Sequence, residues 1–227
     1  MGAARRRVVV IGGTSGIGAA VAERFAASGA EVTAAGLGAS PPAVELDLTA
    51  PAAVEAFFAP FDSLDVLVNA AGVLHRDEEL RPEVFADVLA VNLTGTMRAC
   101  AAARRPLAAA RGCVVNIASM LSFFGGPRVP AYSASKGGIV QLTKALAVAW
   151  AADGVRVNAV APGWIRTALT AGLRQEPGAD RRIIERTPMG RWGEPAEVAG
   201  AVAFLAGPDA GFITGAVLPV DGGYLAG

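Results

Sequence analysis

The sequence has few of the features that mark a secreted, membrane-bound or nucleic-acid-binding protein. Its 20 basic and 20 acidic residues cancel, and the isoelectric point of about 6.6 suggests neither a nucleic-acid nor an anionic-membrane partner. Cys100 and Cys113 do not form a CxxC pair, which favours reduced intracellular thiols. The apolar run at residues 8–11 is too short for a signal peptide, and no window reaches membrane-spanning length. We therefore expect a cytoplasmic protein.

Internal repeats and linkers are also missing from the 227 residues. A hydrophobic content of 53% with 18% charged residues is typical of a compact globular chain. A chain of this length can bury a substantial core. We predict a single domain over residues 1–227.

Short β-branched apolar runs alternate with segments of helical spacing along the chain. This alternation predicts an α/β fold in which a doubly wound parallel sheet of about seven strands carries helices on both faces. The predicted strands cover residues 8–11, 31–35, 44–48, 65–69, 113–118, 155–160 and 216–220, and the predicted helices cover residues 19–28, 51–58, 82–110, 132–152 and 195–206.

Two prolines and one long segment refine this prediction. Pro219 cannot donate a ladder hydrogen bond, so the last strand is expected at a sheet edge. Pro106 is expected to interrupt the helix at residues 82–110. Residues 164–193 have no clear strand and carry scattered Arg, Pro and Gly residues, which suggests a mobile segment that caps a substrate site.

Lysine and tyrosine are scarce, and one of each stands at helical spacing. Only Lys136 and Lys144 of the 20 basic residues are lysines, and only two tyrosines occur. Tyr132 and Lys136 are four residues apart, which puts both side chains on one helix face. The ammonium would lower the pKa of the Tyr132 phenol and make it a usable proton donor and acceptor. Taken alone, a chance pair on a solvated face is the better interpretation.

A glycine-rich turn follows the first predicted strand. Gly12, Gly16 and Gly18 have the spacing G-x-x-x-G-x-G and precede a predicted helix. In this context backbone N–H groups and the helix dipole can hold a pyrophosphate. Without the flanking strand and helix, a plain tight turn would explain the glycines as well.

Polar residues occur at positions where they need a specific role. The four asparagines are Asn69, Asn92, Asn116 and Asn158, of which three lie on predicted strands and one in a helix. Asn is a poor former of both, so each needs a hydrogen-bond partner. Ser119 ends the fifth strand shortly before Tyr132, so one hydroxyl could orient a carbonyl oxygen while the other donates a proton.

These motifs, in this order and spacing, resemble the short-chain dehydrogenase/reductase family over nearly the whole chain. The matching segments are Gly12-x-x-x-Gly16-Ile17-Gly18, Asn69-Ala70-Ala71-Gly72, Val91-Asn92-Leu93-x-Gly95, Ile117-Ala118-Ser119, Tyr132-x-x-x-Lys136 and Pro162-Gly163-x-x-x-Thr167. The resemblance implies a Rossmann-type fold, hydride transfer between a nicotinamide and the substrate carbon without a metal, and a homotetramer or dimer.

The resemblance also implies roles for the matching residues. Tyr132 would exchange a proton with the carbonyl oxygen, Lys136 would hold the nicotinamide ribose and lower the pKa of Tyr132, and Ser119 would fix the substrate oxygen. Asn92 would bend its helix and hold a water that connects Lys136 to solvent. Gly12, Gly16, Ile17 and Gly18 would line the pyrophosphate, Asp47 would meet the adenine amino group, Asn69 and Gly72 would support adenosine, and Thr167 would touch the carboxamide. The other expected cofactor contacts are Ser15, Gly36, Leu48, Ala70, Pro162, Gly163 and Ile165.

The sequence departs from the family pattern at three positions. Ile11 stands where the family often has Thr, and Ala70 replaces the second Asn of Asn-Asn-Ala-Gly, which puts stability in question more than chemistry. Gly36 stands where NAD-preferring members usually have an acid. Ser15 and residues 37–40 offer no cation for a 2′-phosphate. Because an unmatched phosphate is the costlier omission, NAD is favoured while NADP stays open.

Several residues near the expected site have alternative interpretations. His75 could flank the substrate, but a solvent-facing loop position is favoured. Asp47 could simply cap a turn. The Arg181, Arg182 and Arg186 cluster could attract an anionic substrate, although a solvated helix face is favoured. Apolar residues after two strand ends suggest an apolar substrate pocket or burial against a neighbouring subunit; these are Met120, Leu121, Phe123, Phe124 and Trp164.

The leading functional hypothesis is an NAD(P)-dependent oxidoreductase that interconverts a secondary alcohol and a ketone, on an apolar, 3-oxoacyl or cyclic small molecule. A catalytically silent NAD(P)-binding sensor or scaffold is the alternative from a different class, since fold does not imply function. A sugar-nucleotide epimerase or dehydratase uses related chemistry but would need a larger C-terminal region than residues 164–227 provide.

Overall fold

One parallel sheet organises the computed structural model, which describes residues 5–227. The seven strands lie in the order β3-β2-β1-β4-β5-β6-β7 and all neighbours pair in parallel, which confirms the predicted doubly wound α/β fold. Residues 1–4 of the predicted domain lie outside the described residues. The strands are β1 Arg7–Ile11, β2 Glu31–Gly36, β3 Val44–Glu45, β4 Val66–Asn69, β5 Cys113–Ile117, β6 Arg156–Pro162 and β7 Val217–Val220; the helices are α1 Gly16–Ala27, α2 Pro51–Phe58, α3 Pro82–Leu89, α4 Thr96–Ala110, α5 Pro130–Trp150, α6 Ala171–Gln175, α7 Pro177–Arg186 and α8 Pro195–Ala206.

The apolar strands are buried on both faces, which explains their nearly continuous hydrophobic sequences. Successive side chains point to opposite faces of the sheet. In β1, Val9 and Ile11 pack with residues of α2, α4 and α5. Val8 and Val10 pack on the other face with residues of α1 and α8. Pro219 lies in the edge strand β7, as its missing N–H predicts.

The third strand is shorter than the predicted 44–48, because the chain turns after two residues. The Leu46 N–H still donates to the Gly36 carbonyl at 3.0 Å. The Asp47 carboxylate then accepts from both the N–H and the hydroxyl of Thr49, at 2.8 and 2.7 Å, and so turns the backbone away from the ladder. No helix intervenes between β2 and β3, as the short connection predicts.

The interruption in the predicted helix at 82–110 lies at a different place from the one expected. A π-helical segment, Ala90–Gly95, separates α3 from α4, whereas Pro106 lies inside α4. The Pro106 ring is buried near the carboxyl end of α4, and its carbonyl accepts from Leu64 N–H at 3.0 Å. The single N–H that proline removes therefore does not end the helix. The smaller differences are at helix and strand ends, where a residue or two is the usual uncertainty.

The topology opens a cleft where the strand order reverses between β1 and β4. Gly12 adopts φ +76°, and a Cβ there would meet Ala71 N at 2.5 Å. A Cβ on Gly18 would clash with the carbonyl oxygen of Gly12. The glycines thus allow α1 to begin directly against the end of β1, next to β4. Ligands bind at such switch points in open α/β sheets.

Residues 164–193 form one packed segment beside the carboxyl ends of the strands. It contains α6 and α7, and a bridge between Ile165 and Gly193 closes its base. Trp164 and Trp192 meet edge to face, and the Trp192 indole donates to Asp180 at 2.7 Å.

Within residues 5–227, no helix is long and apolar enough to cross a membrane. Both cysteines are free and buried.

Two helical glycines offer a matched test of this packing. Gly18→Ala in α1 should lower the free energy of unfolding by about 1–3 kcal/mol, because its methyl group would overlap Gly12. Gly200→Ala in α8, where nothing lies within 4 Å of the added Cβ, should raise it by about 0.5–1 kcal/mol. Urea unfolding of both variants measures the difference. Equal effects would show that the close approach at Gly18 does not constrain the fold.

Candidate active site

Two adjoining cavities lie at the carboxyl ends of the strands. The long cleft, of about 410 Å³, follows the glycine turn, the end of β2 and the end of β4. The side pocket, of about 110 Å³, lies between the end of β5, the start of α5 and residues 162–170. The residues that line both cavities are Ile17, Ile117, Tyr132, Thr167 and Leu169. Tyr132 therefore stands at the junction, where a molecule in one cavity can react with a molecule in the other.

The structure brings most of the predicted site residues to these cavities. Those in the long cleft are Gly12, Ser15, Gly16, Ile17, Gly18, Gly36, Asp47, Leu48, Ala70, Gly72, Tyr132, Lys136 and Thr167. Those in the side pocket are Ile17, Ser119, Tyr132, Pro162, Gly163, Ile165 and Thr167. Asn69 and Asn92 line neither cavity and are buried behind them.

The start of α1 has the features of a phosphate-binding turn. Ser15 occupies the N-cap but makes no side-chain capping bond, and none of the described groups accepts from the N–H of Ile17 or Gly18. These donors belong to residues that line the long cleft. The positive end of the helix dipole favours an anion at this position. The turn therefore fits a dinucleotide pyrophosphate.

Asn69 holds the sheet and α5 together. Its Nδ2 donates to Asn116 Oδ1 at 2.8 Å, and Asn116 Nδ2 donates to Thr143 Oγ1 of α5 at 2.9 Å. All three residues are buried. Asn69 and Asn116 therefore have the hydrogen-bond partners that the sequence predicts, and these bonds join β4, β5 and α5. Asn69 Oδ1 has no partner among the described residues.

Asn92 lies in the π-helical segment and fastens the chain after β4. Its Oδ1 accepts from Val73 N–H at 2.8 Å, and its Nδ2 donates to the Val73 carbonyl at 2.9 Å and to Ser135 Oγ at 3.1 Å. A Cβ built on Gly72 would lie 3.5 Å from both Asn92 Oδ1 and Lys136 Nζ. The widened helical turn places Asn92 where its amide can pair with Val73, and π-segments of this kind often occur at functional sites.

Lys136 is almost completely buried, with 4% of its surface exposed. Its Nζ donates to the Ile117 carbonyl at 2.7 Å and lies 5.6 Å from the centre of the Tyr132 ring. Burial lowers the pKa of Lys136 to about 8, because the charged form is poorly solvated. At neutral pH the side chain remains mainly an ammonium.

The expected lowering of the Tyr132 pKa is wrong for this structure. The pKa of the phenol is raised to about 12, mainly by burial and to a smaller extent by the charge of Glu79. The Ser119 hydroxyl acts in the opposite direction, by a hydrogen bond that lowers the pKa of Tyr132. Desolvation therefore outweighs the Ser119 hydrogen bond, and Tyr132 is protonated at neutral pH.

Asp47 is both a turn residue and part of the long cleft. Hydrogen bonds from the Thr49 hydroxyl and N–H lower the pKa of Asp47, so its carboxyl is an anion at neutral pH. The capping interpretation is therefore correct for Asp47 Oδ1. Asp47 also lines the long cleft, and its contact with the adenine amino group stays a prediction.

The side pocket has an apolar wall and one cation that the sequence did not indicate. Leu74 and Arg76 reach it from the loop after β4, whereas the neighbouring His75 is exposed. Arg76 forms no ion pair or hydrogen bond with any residue in the described part of the chain. Sequence spacing gave no signal for Arg76, because its position depends on how this loop docks against α5.

The apolar residues expected near the pocket divide into two groups. Met120, Leu121 and Trp164 line it, as expected. Phe124 instead stacks on Tyr224 with ring centres 6.0 Å apart. Arg186 is exposed, as predicted for a solvated helix face, although its guanidinium lies 4.3 Å from the Tyr224 ring centre. Arg181 and Arg182 are exposed and pair with Glu185 and Glu176.

Comparisons with known proteins agree over nearly the whole chain. A family model described as enoyl-(acyl carrier protein) reductase matches residues 11–225. The 2-dehydro-3-deoxy-D-gluconate 5-dehydrogenase of Bacillus subtilis is 37% identical over 97% of this chain and 95% of its own. The galactitol 2-dehydrogenase of Cereibacter sphaeroides is 41% identical over 95% and 93%. A crystal structure from Agrobacterium tumefaciens, described as a 2-deoxy-D-gluconate 3-dehydrogenase with bound NADP, superposes with a TM-score of 0.91 at 40% identity, covering 98% and 97% of the two chains.

The matched residues include Ser119, Tyr132 and Lys136, which the structure brings together at the junction of the two cavities. The chain thus belongs to the short-chain dehydrogenase/reductase family and is an NAD(P)-dependent oxidoreductase of secondary alcohols and ketones.

Proposed function

We propose that this enzyme interconverts the secondary alcohol and the ketone of a small hydroxy acid, with NAD(H) as its preferred cofactor. The observation that carries the proposal is the position of Tyr132 between the long cleft, which suits a dinucleotide, and a side pocket whose described residues form an apolar wall and supply one free cation. When bound, the nicotinamide supplies or accepts the hydride.

The proton chemistry is assigned to Tyr132 and Ser119. Ser119 holds the substrate oxygen beside the phenol, and Tyr132 donates a proton to that oxygen as a ketone is reduced. Protonated Tyr132 is the dominant form at neutral pH, since burial raises its pKa to about 12. Alcohol oxidation needs the deprotonated phenol, so its rate should rise with pH from neutrality upward. Lys136 provides positive charge near the phenolate that oxidation requires.

The preference for NAD is supported by a carboxylate beside the end of β2. Glu45 pairs in register with Gly36, where the family's acid is missing, and its two oxygens accept from the N–H groups of Gly38 and Ala39 at 3.1 and 2.7 Å. Among the described residues that line the long cleft, Asp47 and Lys136 are the charged ones. A 2′-phosphate near Gly36 would therefore meet negative charge and no cation, although the Agrobacterium relative binds NADP.

The preference for a hydroxy acid is supported by Arg76. This half-buried arginine lines the side pocket together with apolar residues that include Leu121, Trp164 and Leu169. An arginine suits a carboxylate, because its planar fork can donate two parallel hydrogen bonds. Two of the relatives are named for sugar acids and one for a neutral sugar alcohol. The apolar wall would hold the carbon skeleton, cyclic or linear, with the reacting oxygen at Ser119.

We also propose that residues 164–193 cap the substrate and that the protein is a homo-oligomer, a tetramer or dimer. The first point is supported by Trp164, Thr167 and Leu169, which the segment contributes to the cavity walls. The second is supported by exposed apolar side chains on and near α8 and β7, including Phe204, Phe212 and Leu218. A silent sensor would need none of the acid–base residues, and this observation favours the enzyme.

The first test removes the phenol hydroxyl. Tyr132→Phe should lower kcat by about 100-fold or more, because proton transfer is lost. Cofactor affinity, measured by quenching of tryptophan fluorescence, should stay nearly unchanged. In the unaltered enzyme, oxidation followed by NADH absorbance should accelerate as pH rises. Near-normal activity of the variant would refute the proton-transfer role, and no turnover of the unaltered enzyme with NAD or NADP on a broad panel would favour the sensor.

The second test concerns cofactor choice. Glu45→Gln should lower the ratio of the NADP Kd to the NAD Kd by about two- to fivefold, the size expected for one exposed charge. Glu31→Gln, at the opposite end of β2, serves as the control and should leave this ratio unchanged. Fluorescence titrations with both cofactors measure it without turnover. Tighter binding of NADP than NAD by the unaltered protein would contradict the preference.

The third test concerns the substrate anion. Arg76→Gln should raise the KM for hydroxy acids by about tenfold or more, since a charged hydrogen bond is lost. The KM for a neutral sugar alcohol should change little. Arg24→Gln on the exposed face of α1 is the control. Equal effects on charged and neutral substrates, or a clear preference for the neutral alcohol, would rule out a carboxylate at Arg76.

A further inference from the structure

Glu79 is a buried acid that the proton chemistry described above does not use. It follows Asp77 and Glu78 in a charged stretch that the sequence would place in solvent. Only 1% of its surface is exposed, whereas the side chain of Glu78 is 61% exposed. A buried carboxylate is costly unless hydrogen bonds satisfy it. Its partners therefore indicate what it does.

Both carboxylate oxygens accept from backbone N–H groups of functional segments. Oε2 accepts from Tyr132 N–H at 2.9 Å, in the first turn of α5. Oε1 accepts from His75 N–H at 2.9 Å, between Leu74 and Arg76 of the side pocket. One carboxylate thus joins the catalytic helix to the loop that forms part of the substrate wall.

The first turn of α5 needs such a partner, because its own N-cap residue is Val129, which has no side-chain acceptor. Glu79 provides the missing cap from a loop 53 residues away in sequence. A negative charge is also favourable at the positive end of a helix dipole. Asp77 strengthens the same docking through its ion pair with Arg128 and through its N–H, which donates to the Arg128 carbonyl at 2.9 Å.

We propose that Glu79 is a positioning residue that fixes Tyr132 and the Arg76 loop relative to each other and brings a negative charge to the first turn of the catalytic helix. The proposal rests on the proposed function in assigning Tyr132 to proton transfer. Among the described residues, the charged groups that face Tyr132 are Lys136 from α5 itself, and Glu79 and Arg76 from the loop after β4. The segment after β5 contributes the uncharged Ser119. A nearby negative charge disfavours phenolate, and the charge of Glu79 contributes to the raised pKa of Tyr132.

The scarcity of tyrosine allows a direct test that needs no substrate. In a Tyr224→Phe background Tyr132 is the only tyrosine, so the ultraviolet absorbance of phenolate reports on it alone. Glu79→Gln should lower its pKa by about half to one unit, because a nearby like charge is removed. At a fixed pH near 10 the phenolate fraction should then rise about three- to tenfold. Glu78→Gln is the matched control and should leave this fraction unchanged.

A second variant separates charge from position. Glu79→Asp keeps the charge but withdraws the carboxylate from Tyr132 N–H and His75 N–H. It should leave the phenolate fraction close to that of the Tyr224→Phe parent, yet raise the substrate KM and lower kcat by about tenfold each, as expected for a displaced catalytic group.

The proposal is overturned if Glu79→Gln gives the same phenolate fraction as Glu78→Gln and the Glu79→Asp kinetics match those of the parent. If Glu79→Gln does not fold, the Glu79→Asp kinetics still decide the positioning role. The titration requires no turnover, so it can be measured even if the enzyme does not have the proposed function. Failure of the Glu79 proposal can therefore be distinguished from failure of the proposed function.

Discussion

The buried ammonium of Lys136 is the constraint on which the rest of the site depends. Among the described residues its one hydrogen-bond partner is the Ile117 carbonyl at the end of β5, and burial lowers its pKa to about 8. Such a charge is tolerated only where its partner is held at hydrogen-bond distance. The helix that carries Lys136 must therefore be fixed against β5.

Three polar contacts fix α5 at successive positions along its length. Glu79 accepts from the N–H of its first turn, Ser122 donates to the Lys136 carbonyl at 2.7 Å, and Asn116 donates to Thr143 further along. None of these contacts touches a reacting atom in the roles assigned above. Together they hold Tyr132 and Lys136 in one register with Ser119, and proton transfer depends on such placement.

The sequence was most informative where the signal is local. The helices that begin at Pro51 and Pro195 have the predicted bounds, because proline at the first helical position and apolar spacing determine them without help from the rest of the chain. Long-range contacts explain the failures. The turn of Asp47 onto Thr49 shortened β3, the π-helical segment around Asn92 depends on Val73, and the position of Arg76 depends on a docked loop. The pKa of Tyr132 was predicted in the wrong direction, because the spacing of Tyr132 and Lys136 indicates a nearby cation but does not indicate that the phenol is buried.

The residues that perform the chemistry and the residues that determine substrate and cofactor specificity come from different parts of the fold. Ser119, Tyr132 and Lys136 lie on or beside β5 and α5, where a change would disturb the buried network. Arg76, Leu169 and the Glu45 turn lie on connections at the surface, where substitutions cost less stability. Glu79 is the exception, since it belongs to a surface connection and yet is buried against the catalytic helix. A change in this loop that alters substrate choice can therefore leave the chemistry intact only if it keeps the Glu79 carboxylate in place.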